Sequence, residues 1–379
     1  MEKICDTAQE VIFIMKKVAF VRGSYLNKSE WQNYDIKSKN LRIDPISTFK
    51  TIHYFKKSIK LFGLSDINSS KYSKYFFNRL IGDNQVLFGL KNAVADYNIL
   101  HTADPHYYYS YQLAKIKGDR PLVSTYWETI PFNNETVAKK RLIKRFTMEN
   151  TDLFICHTQK AKKCIQAEGF SHKKIELIPL GVDLSRFKPK NRKSNKTKTI
   201  LYVGRLVEEK GVSDLYEAFK ICVKSNTYNR LRLHLVGNGH LKNVIYQKAK
   251  KDGLIKNIQI INKSYDSIHH VYNQAAIFVL PSKKTKTWEE QYGMVLIEAL
   301  ASGLPVIAYD TGAIAEVLNG NGELVEERKI KKLSERINYL LNNRDKAIKI
   351  GLEGRKFAEN KYNCIDYQKK IKNLYLSLK

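Results

Sequence analysis

The chain alternates short apolar runs with longer stretches of mixed polarity. Residues 18–21 form the first such run, which ends at Gly23 and reads as a β-strand followed by a glycine turn. Further runs at 98–101, 122–125, 153–157 and 175–178 are bounded by turn residues, and stretches of helical spacing such as 137–148 lie between them. Strands alternating with helices predict a parallel sheet covered on both faces. A second set follows, with strands expected at 199–203, 231–236, 258–261, 277–280 and 305–308. Helices are expected at 211–223, 241–250 and 294–301, and the stretch 329–379 also reads as helical. Between the two sets, Pro179, Gly181, Pro189 and a run of Lys, Arg, Asn and Ser have the chemistry of a linker. Two parallel α/β domains joined in this way enclose a cleft. Ligands then sit at the carboxyl ends of the strands.

Composition is consistent with this picture. Hydrophobic residues make up 43% of the 379 positions, enough for two ordinary cores. No apolar run approaches the ~18–20 residues of a membrane span. The nearest candidate, 11–21, is broken by Lys16 and Lys17 and lacks the cleavage site of a signal peptide, so the expected location is cytoplasmic. Residues 1–14 precede the first strand as an extension, and Met15 is an alternative start. The five cysteines are scattered and never spaced Cys-x-x-Cys, which argues against a disulfide framework or a zinc site.

The net charge is +29. Through Lys198 there are 36 Lys and Arg against 18 Asp and Glu (+18), and the remainder has 30 against 19 (+11). Such an excess suits an anionic partner, including a membrane surface, but a general lysine bias accounts for it equally well. The cluster KKRLIKR at 139–145 reads either as a basic amphipathic helix meeting anionic lipid or as a solvated face over one buried stripe.

The chemistry concentrates in two segments of the second half. In GRLVEEKG, Arg205 and Lys210 lie in the loop after a strand, flanked by Gly204 and Gly211. Two cations there suit a diphosphate, the arginine as a fork and the lysine as a point charge. Further on, Glu290 precedes a helix and Glu298 lies about one turn inside it. Gly293 between them lets the backbone approach a ligand, and the amides of Met294 and Val295 open the helix, where phosphate is attracted.

These segments, with LHLVGNG at 233–239, EEQYGMVLIEALASGLPVIAYDTGAIAEV at 289–317 and PLGVDLSRFKP at 179–189, make the chain resemble the retaining glycosyltransferase family 4. The resemblance is strong in the second half and loose in the first. It implies the GT-B fold, an α/β arrangement of two Rossmann-like domains facing a central cleft. The expected divisions are an extension at 1–14, an acceptor-side domain at 15–185, a linker at 186–198, a donor-binding domain at 199–357, and a C-terminal helix at 358–379 packing back on the first domain.

The resemblance also implies roles. Arg205 and Lys210 would hold the donor diphosphate and Glu290 the transferred sugar. Glu298 would bind the ribose, and the amides near Met294 and Val295 the phosphates. Gly204 and Gly237 would shape the donor loops, with Gly23 closing from the other domain and Ser264 and Tyr265 near the base. The implied partners are a nucleotide-sugar donor and a glycan or lipid-linked acceptor of cell-surface glycan synthesis, with no nucleic acid. No cofactor or metal is expected, and the sequence has no Asp-x-Asp pair of the kind that holds a metal–diphosphate.

The first half departs from the family pattern. Where a histidine usually follows the strand at 122–125, the chain has Trp127 and then Glu128. Glu128 either supplies a carboxylate to the reaction or is a loop residue, and Trp127 either stacks on the ligand or packs. His101 and Asp104 follow a strand and are expected to face the acceptor. Tyr107–Tyr109 with Tyr111 line either an acceptor groove or the core. Glu316 either caps or orients the donor loop or sits exposed at a helix start. The competing functions are a nucleotide-sugar epimerase or hydrolase of the same fold and a non-catalytic nucleotide-sugar binder. A nucleic-acid binder would rest on charge alone.

Overall fold

The structure is a computed structural model, and it describes residues 15–67, 77, 79–135, 137–190, 198–225 and 231–379. The extension 1–14 and most of the linker, 191–197, lie outside the described residues. Strands β1 (Lys16–Gly23), β2 (Leu41–Ser47), β3 (Ile59–Lys60), β4 (Ile99–Ala103), β5 (Leu122–Tyr126), β6 (Leu153–Cys156) and β7 (Lys174–Leu177) form one sheet. Its order is β3-β2-β1-β4-β5-β6-β7. Strands β8 (Lys198–Val203), β9 (Leu231–Val236), β10 (Ile258–Ile261), β11 (Ile277–Leu280), β12 (Val306–Tyr309) and β13 (Glu323–Val325) form the other, in the order β10-β9-β8-β11-β12-β13. All pairings within both sheets are parallel.

This is the expected two-domain α/β architecture. The central strands β1, β5, β8, β11 and β12 are buried almost throughout because helices cover both sheet faces. In each sheet the strand order reverses beside the first strand of its domain, β1 or β8. The crevice between neighbouring strands opens there, at their carboxyl ends.

Two strands of the first sheet escape the apolar pattern. β2 contains Arg42, Asp44 and Pro45, yet it pairs along its length with β1. Asp44 is held by the Tyr97 hydroxyl at 2.8 Å. Strand β3 reaches only Ile46 and Ser47, so Pro45 lies where β2 is still the sheet edge and its missing N–H is tolerated.

The last helix, Cys364–Ser377, packs back on the first domain as expected. Tyr375 is fully buried there and meets His101. Gln368 donates to the Gln32 carbonyl at 2.8 Å, and Lys16 donates to the Leu376 carbonyl at 3.0 Å. The chain therefore crosses between domains twice, and the crossings touch. Val182 donates to the Tyr362 carbonyl at 2.8 Å, and Cys364 donates to that of Val182 at 3.2 Å.

Candidate active site

The second-domain wall is built from three loops at the carboxyl edge of its sheet. After β8, the backbone of Gly204 and that of Gly237, after β9, press together. A Cβ on Gly237 would fall 1.9 Å from the Gly204 carbonyl oxygen, and its φ of +147° is one that L side chains rarely adopt. Arg205, the next residue after Gly204, has a largely exposed guanidinium that pairs with Glu209 at 3.2 Å. Lys210 sits in the short turn Glu208–Lys210 and points inward. Its Nζ lies 2.7 Å from Glu290 Oε2 and 4.6 Å from the centre of the Trp288 ring.

Glu290 is buried, and the same Oε2 also accepts from Ser282 Oγ at 2.7 Å. Gly312 holds its backbone: a Cβ at Gly312 would lie 2.1 Å from the Glu290 carbonyl oxygen, and the next amide, Ala313 N, donates to that oxygen at 2.8 Å. Gly293 then starts the helix Met294–Ala301, which no side chain caps, so the amides of Met294 and Val295 open a positive helix end.

Glu298 lies inside this helix and is buried. It accepts from the Tyr272 hydroxyl at 2.6 Å. Burial pushes its carboxyl up to about 7, against the opposing influence of Tyr272, Tyr265 and Arg186. Ser264 is exposed and bonds Ser267 at 3.0 Å. Tyr265 is buried, lies under the Arg186 guanidinium, and accepts from Gln32 of the first domain at 3.0 Å.

The first-domain wall comes from the ends of β1, β4, β5 and β6. Gly23 closes β1, and Ser24 Oγ donates to Gln85 at 2.9 Å. Tyr25 stacks on Tyr107 at 4.8 Å, and Tyr107 stacks on the buried Tyr109 at 5.3 Å. The tyrosine run is thus divided: Tyr109 belongs to the core, and Tyr107 backs the half-exposed Tyr25 beside the glycine turn. Asp104, immediately after β4, has a left-handed backbone (φ +33°) and accepts the Trp127 amide at 2.9 Å. Burial and the charge of Glu128 push the Asp104 carboxyl well above the usual range. Glu128 is buried as well and is raised for the same first reason, although Asn133 and Asn134 donate to it at 2.9 and 2.7 Å.

Trp127 packs rather than projects. Its ring lies 4.4 Å from that of His157 and 6.4 Å from that of Tyr292 in the other domain. His157 was not singled out by the sequence. Its Nδ1 donates to the Ile178 carbonyl at 2.7 Å, Nε2 is buried with no partner, and burial lowers the imidazole to about 4. A histidine therefore stands beside Trp127, supplied by the next strand.

His101 does not face the acceptor side. Strand β4 runs on to Ala103, so His101 is an interior strand residue with no exposure. Its Nε2 meets Thr125 Oγ1 at 2.8 Å, its Nδ1 meets the Tyr375 hydroxyl, and Phe20 and Tyr34 pack against the ring. Glu316 stands in the first turn of the helix Ile314–Leu318 and acts as a cap, but for a helix of the facing domain rather than for the donor loop. Its carboxylate crosses the cleft and accepts from the first amides of the helix Gln159–Ala167, Gln159 N at 2.6 Å and Lys160 N at 3.3 Å. Lys160 returns to the second domain, 2.7 Å from buried Glu289. Among the described residues no group of three His, Cys, Asp or Glu side chains could hold a metal ion.

Two family models match this chain. The model of glycosyl transferases group 1 covers residues 184–357, and that of glycosyltransferase family 4 covers residues 67–186. The chain belongs to glycosyltransferase family 4.

Its relatives include the capsular polysaccharide biosynthesis glycosyltransferase CapM of Staphylococcus aureus, 32% identical over 59% of this chain and 61% of the relative. A UDP-Gal:alpha-D-GlcNAc-diphosphoundecaprenol alpha-1,3-galactosyltransferase of Escherichia coli is 27% identical over 62% of each. The match thus spans about six-tenths of these relatives' length. Among solved structures, Anabaena HepE in complex with UDP and glucose aligns over 96% of this chain and all of its own, with a TM-score of 0.76 at 17% identity. The sucrose-phosphate synthase of Thermosynechococcus elongatus aligns over 95% and 98%, with a TM-score of 0.73 at 18% identity. These likenesses show the shared GT-B fold. In this family-4 chain the donor-side residues inferred from resemblance gather on one wall, and Lys210 contacts Glu290 directly.

Proposed function

We propose that the protein is a retaining, metal-independent glycosyltransferase. It would move a sugar from a nucleotide-sugar donor to a glycan or lipid-linked acceptor of cell-surface glycan synthesis, at the cytoplasmic face of the membrane. The observation that carries this reading is the Lys210–Glu290 contact beside the uncapped Met294–Ala301 helix. Breaking a sugar–phosphate bond puts negative charge on the departing diphosphate and positive character on the sugar. Lys210, the exposed Arg205 and the amides of Met294 and Val295 answer the first with fixed cations and dipoles. Glu290 answers the second and hydrogen-bonds sugar hydroxyls. No group other than these cations is needed for the diphosphate, and the acceptor attacks on the face the leaving group vacates. Glu298 takes the ribose hydroxyls. Asp104, Glu128 and Trp127 form the acceptor-side wall with His157.

A uracil nucleotide is the first donor to test, because HepE is described with UDP and the Escherichia coli relative by a UDP-sugar. The test is thermal stabilisation by UDP, GDP and ADP and their sugar conjugates, with EDTA present and Arg205→Ala as the control. A ligand at 100 times its Kd stabilises by about 2.7 kcal/mol. Stabilisation of the wild type by one nucleotide class, clearly reduced in the variant, supports the donor site. Stabilisation by none overturns it. Product anomer by NMR then tests retention.

A further inference from the structure

The segment from Phe49 to Gly63 has four lysines, Lys50, Lys56, Lys57 and Lys60, and no acidic residue. It also displays large apolar side chains to solvent. Phe49, Ile52, Tyr54 and Phe62, with Ile67 and Phe88 nearby, are each at least 47% exposed. Isolated exposed apolar residues are ordinary; six on connected loops are not.

Backbone contacts hold these loops together at one edge of the first sheet. Phe88 N donates to the Phe62 carbonyl at 2.9 Å, and the two rings stack at 5.9 Å. Asp66, the nearest carboxylate along the chain, accepts from the backbone amides of Phe49, Lys50 and Gly63, so its charge is spent inside the loop. Lys60 Nζ lies 5.3 Å from the Tyr54 ring centre, which leaves a cation above an exposed aromatic face. The same loop borders the cleft. Ile52 N donates to the carbonyl of Ser24 in the turn after Gly23, and His53 accepts from Lys28 N and lies 5.4 Å from the Tyr265 ring of the second domain.

We infer that this surface is a docking site for an anionic lipid bilayer, with Phe49, Ile52, Tyr54, Phe62, Ile67 and Phe88 entering the interface and the lysines meeting lipid headgroups. Charge complementarity selects the occupant. Lysines that form no ion pair among the described residues, set around apolar and aromatic side chains, fit a surface that is negative at its face and apolar beneath. A nucleic acid would use the lysines but not the aliphatic side chains. Docking here sets the mouth of the cleft against the membrane, where a lipid-borne acceptor would present its sugar. The purpose of the site rests on the proposed lipid-linked acceptor, but its test needs no donor or acceptor. The helix carrying KKRLIKR is the weaker surface: Ile143 and Lys144 are buried, and Lys144 is tied to Glu168 and Glu135.

The experiment is co-sedimentation of the full chain with vesicles of phosphatidylcholine alone and with phosphatidylglycerol added, at low and high salt. Three variants are compared with the wild type: Phe49→Ser/Ile52→Ser/Tyr54→Ser, Lys56→Gln/Lys57→Gln, and Arg141→Gln/Leu142→Ser/Arg145→Gln on the helix. Circular dichroism and melting temperature confirm that each is folded. Wild type is expected to sediment with the anionic vesicles only, less so at high salt. The double lysine variant should lose about 25-fold in partitioning, roughly five-fold for each lysine. The apolar variant should lose binding at both salts, and the helix variant should keep it. Binding that survives the loop variants, that follows the helix variant, or that occurs with nucleic acid and not with vesicles overturns the proposal. If Phe49→Ser/Ile52→Ser/Tyr54→Ser is unfolded, the surface lysine variant alone decides. Loss of nucleotide stabilisation with vesicle binding intact would sink the donor-site reading and leave this surface standing.

Discussion

Lys210 Nζ and Glu290 Oε2 stand 2.7 Å apart across two loops separated by 80 residues, and both side chains are largely removed from water. Each neutralises the other before any ligand arrives. Removing one partner leaves an uncompensated charge in a dry site, which costs more than the pair itself contributes. Lys210→Met and Glu290→Gln should therefore each lower the melting temperature, and the double variant should recover much of it. Activity behaves differently. Each single variant should lose roughly 100- to 1000-fold in kcat, the scale of a lost transition-state charge contact, and the double variant should recover none of it. Thermal melts and steady-state kinetics on the three variants check this, and recovery of turnover in the double variant would make the pair purely structural.

Arg205 offers the contrast. Its guanidinium is more than half exposed and its partner Glu209 lies four residues on in the same loop, an arrangement that contributes little to stability. Arg205→Ala should leave the melting temperature nearly unchanged and weaken nucleoside diphosphate binding by at least ten-fold in calorimetry. Unchanged affinity would remove it from the donor site.

Glu316 holds the two domains through a helix end rather than through a side-chain pair. A carboxylate at a helix N-terminus stabilises by about 1 kcal/mol, here only while the cleft is shut. Glu316→Ala should shift the unliganded protein toward an open form, seen as a larger radius of gyration in solution scattering. The donor KM should rise, with little change in kcat under saturation. Scattering curves that superimpose with those of the wild type would refute the latch.

Glu298 gives a pH signature. Its folded carboxyl titrates near 7 because burial disfavours the charge, well above the unfolded value of about 4.5. The folded state therefore holds a proton that the unfolded state has released, and stability falls as pH rises from about 4.5 to 7. Ribose hydroxyls bonded to the carboxylate favour its ionised form, so nucleotide affinity should rise through the same window and level off above 7. Glu298→Gln should flatten both dependences, measured by melting curves and calorimetry from pH 5 to 8.

The donor wall was legible because its chemistry lies in contiguous segments whose spacing already encodes geometry. Gly293 and Glu298 sit on one short helix, and Arg205 and Lys210 in one loop. The first-domain wall was legible only in part: Gly23, Asp104 and Glu128 were named singly, but His157 was missed, because the four come from separate strand ends that only the order β1-β4-β5-β6 brings together. His101 shows the smallest such error. A strand two residues longer than its apolar run suggests turns a presumed cleft residue into a core one. Strand β2 was missed for a related reason: Arg42, Asp44 and Pro45 break the apolar run, and their tolerance depends on Tyr97 and on how far β3 reaches.

The two crossings between domains, hydrogen-bonded to each other at Val182, Tyr362 and Cys364, act as a hinge with two leaves. A single tether would let one domain swivel on the other. Two straps bound side by side can fold about their common line but resist twist and slide. Opening is thereby reduced to one angle, and the contacts that Glu316 and Lys160 make with the facing domains form or break as that angle changes, while Gln32, bonded to both crossings, stays at the fold line.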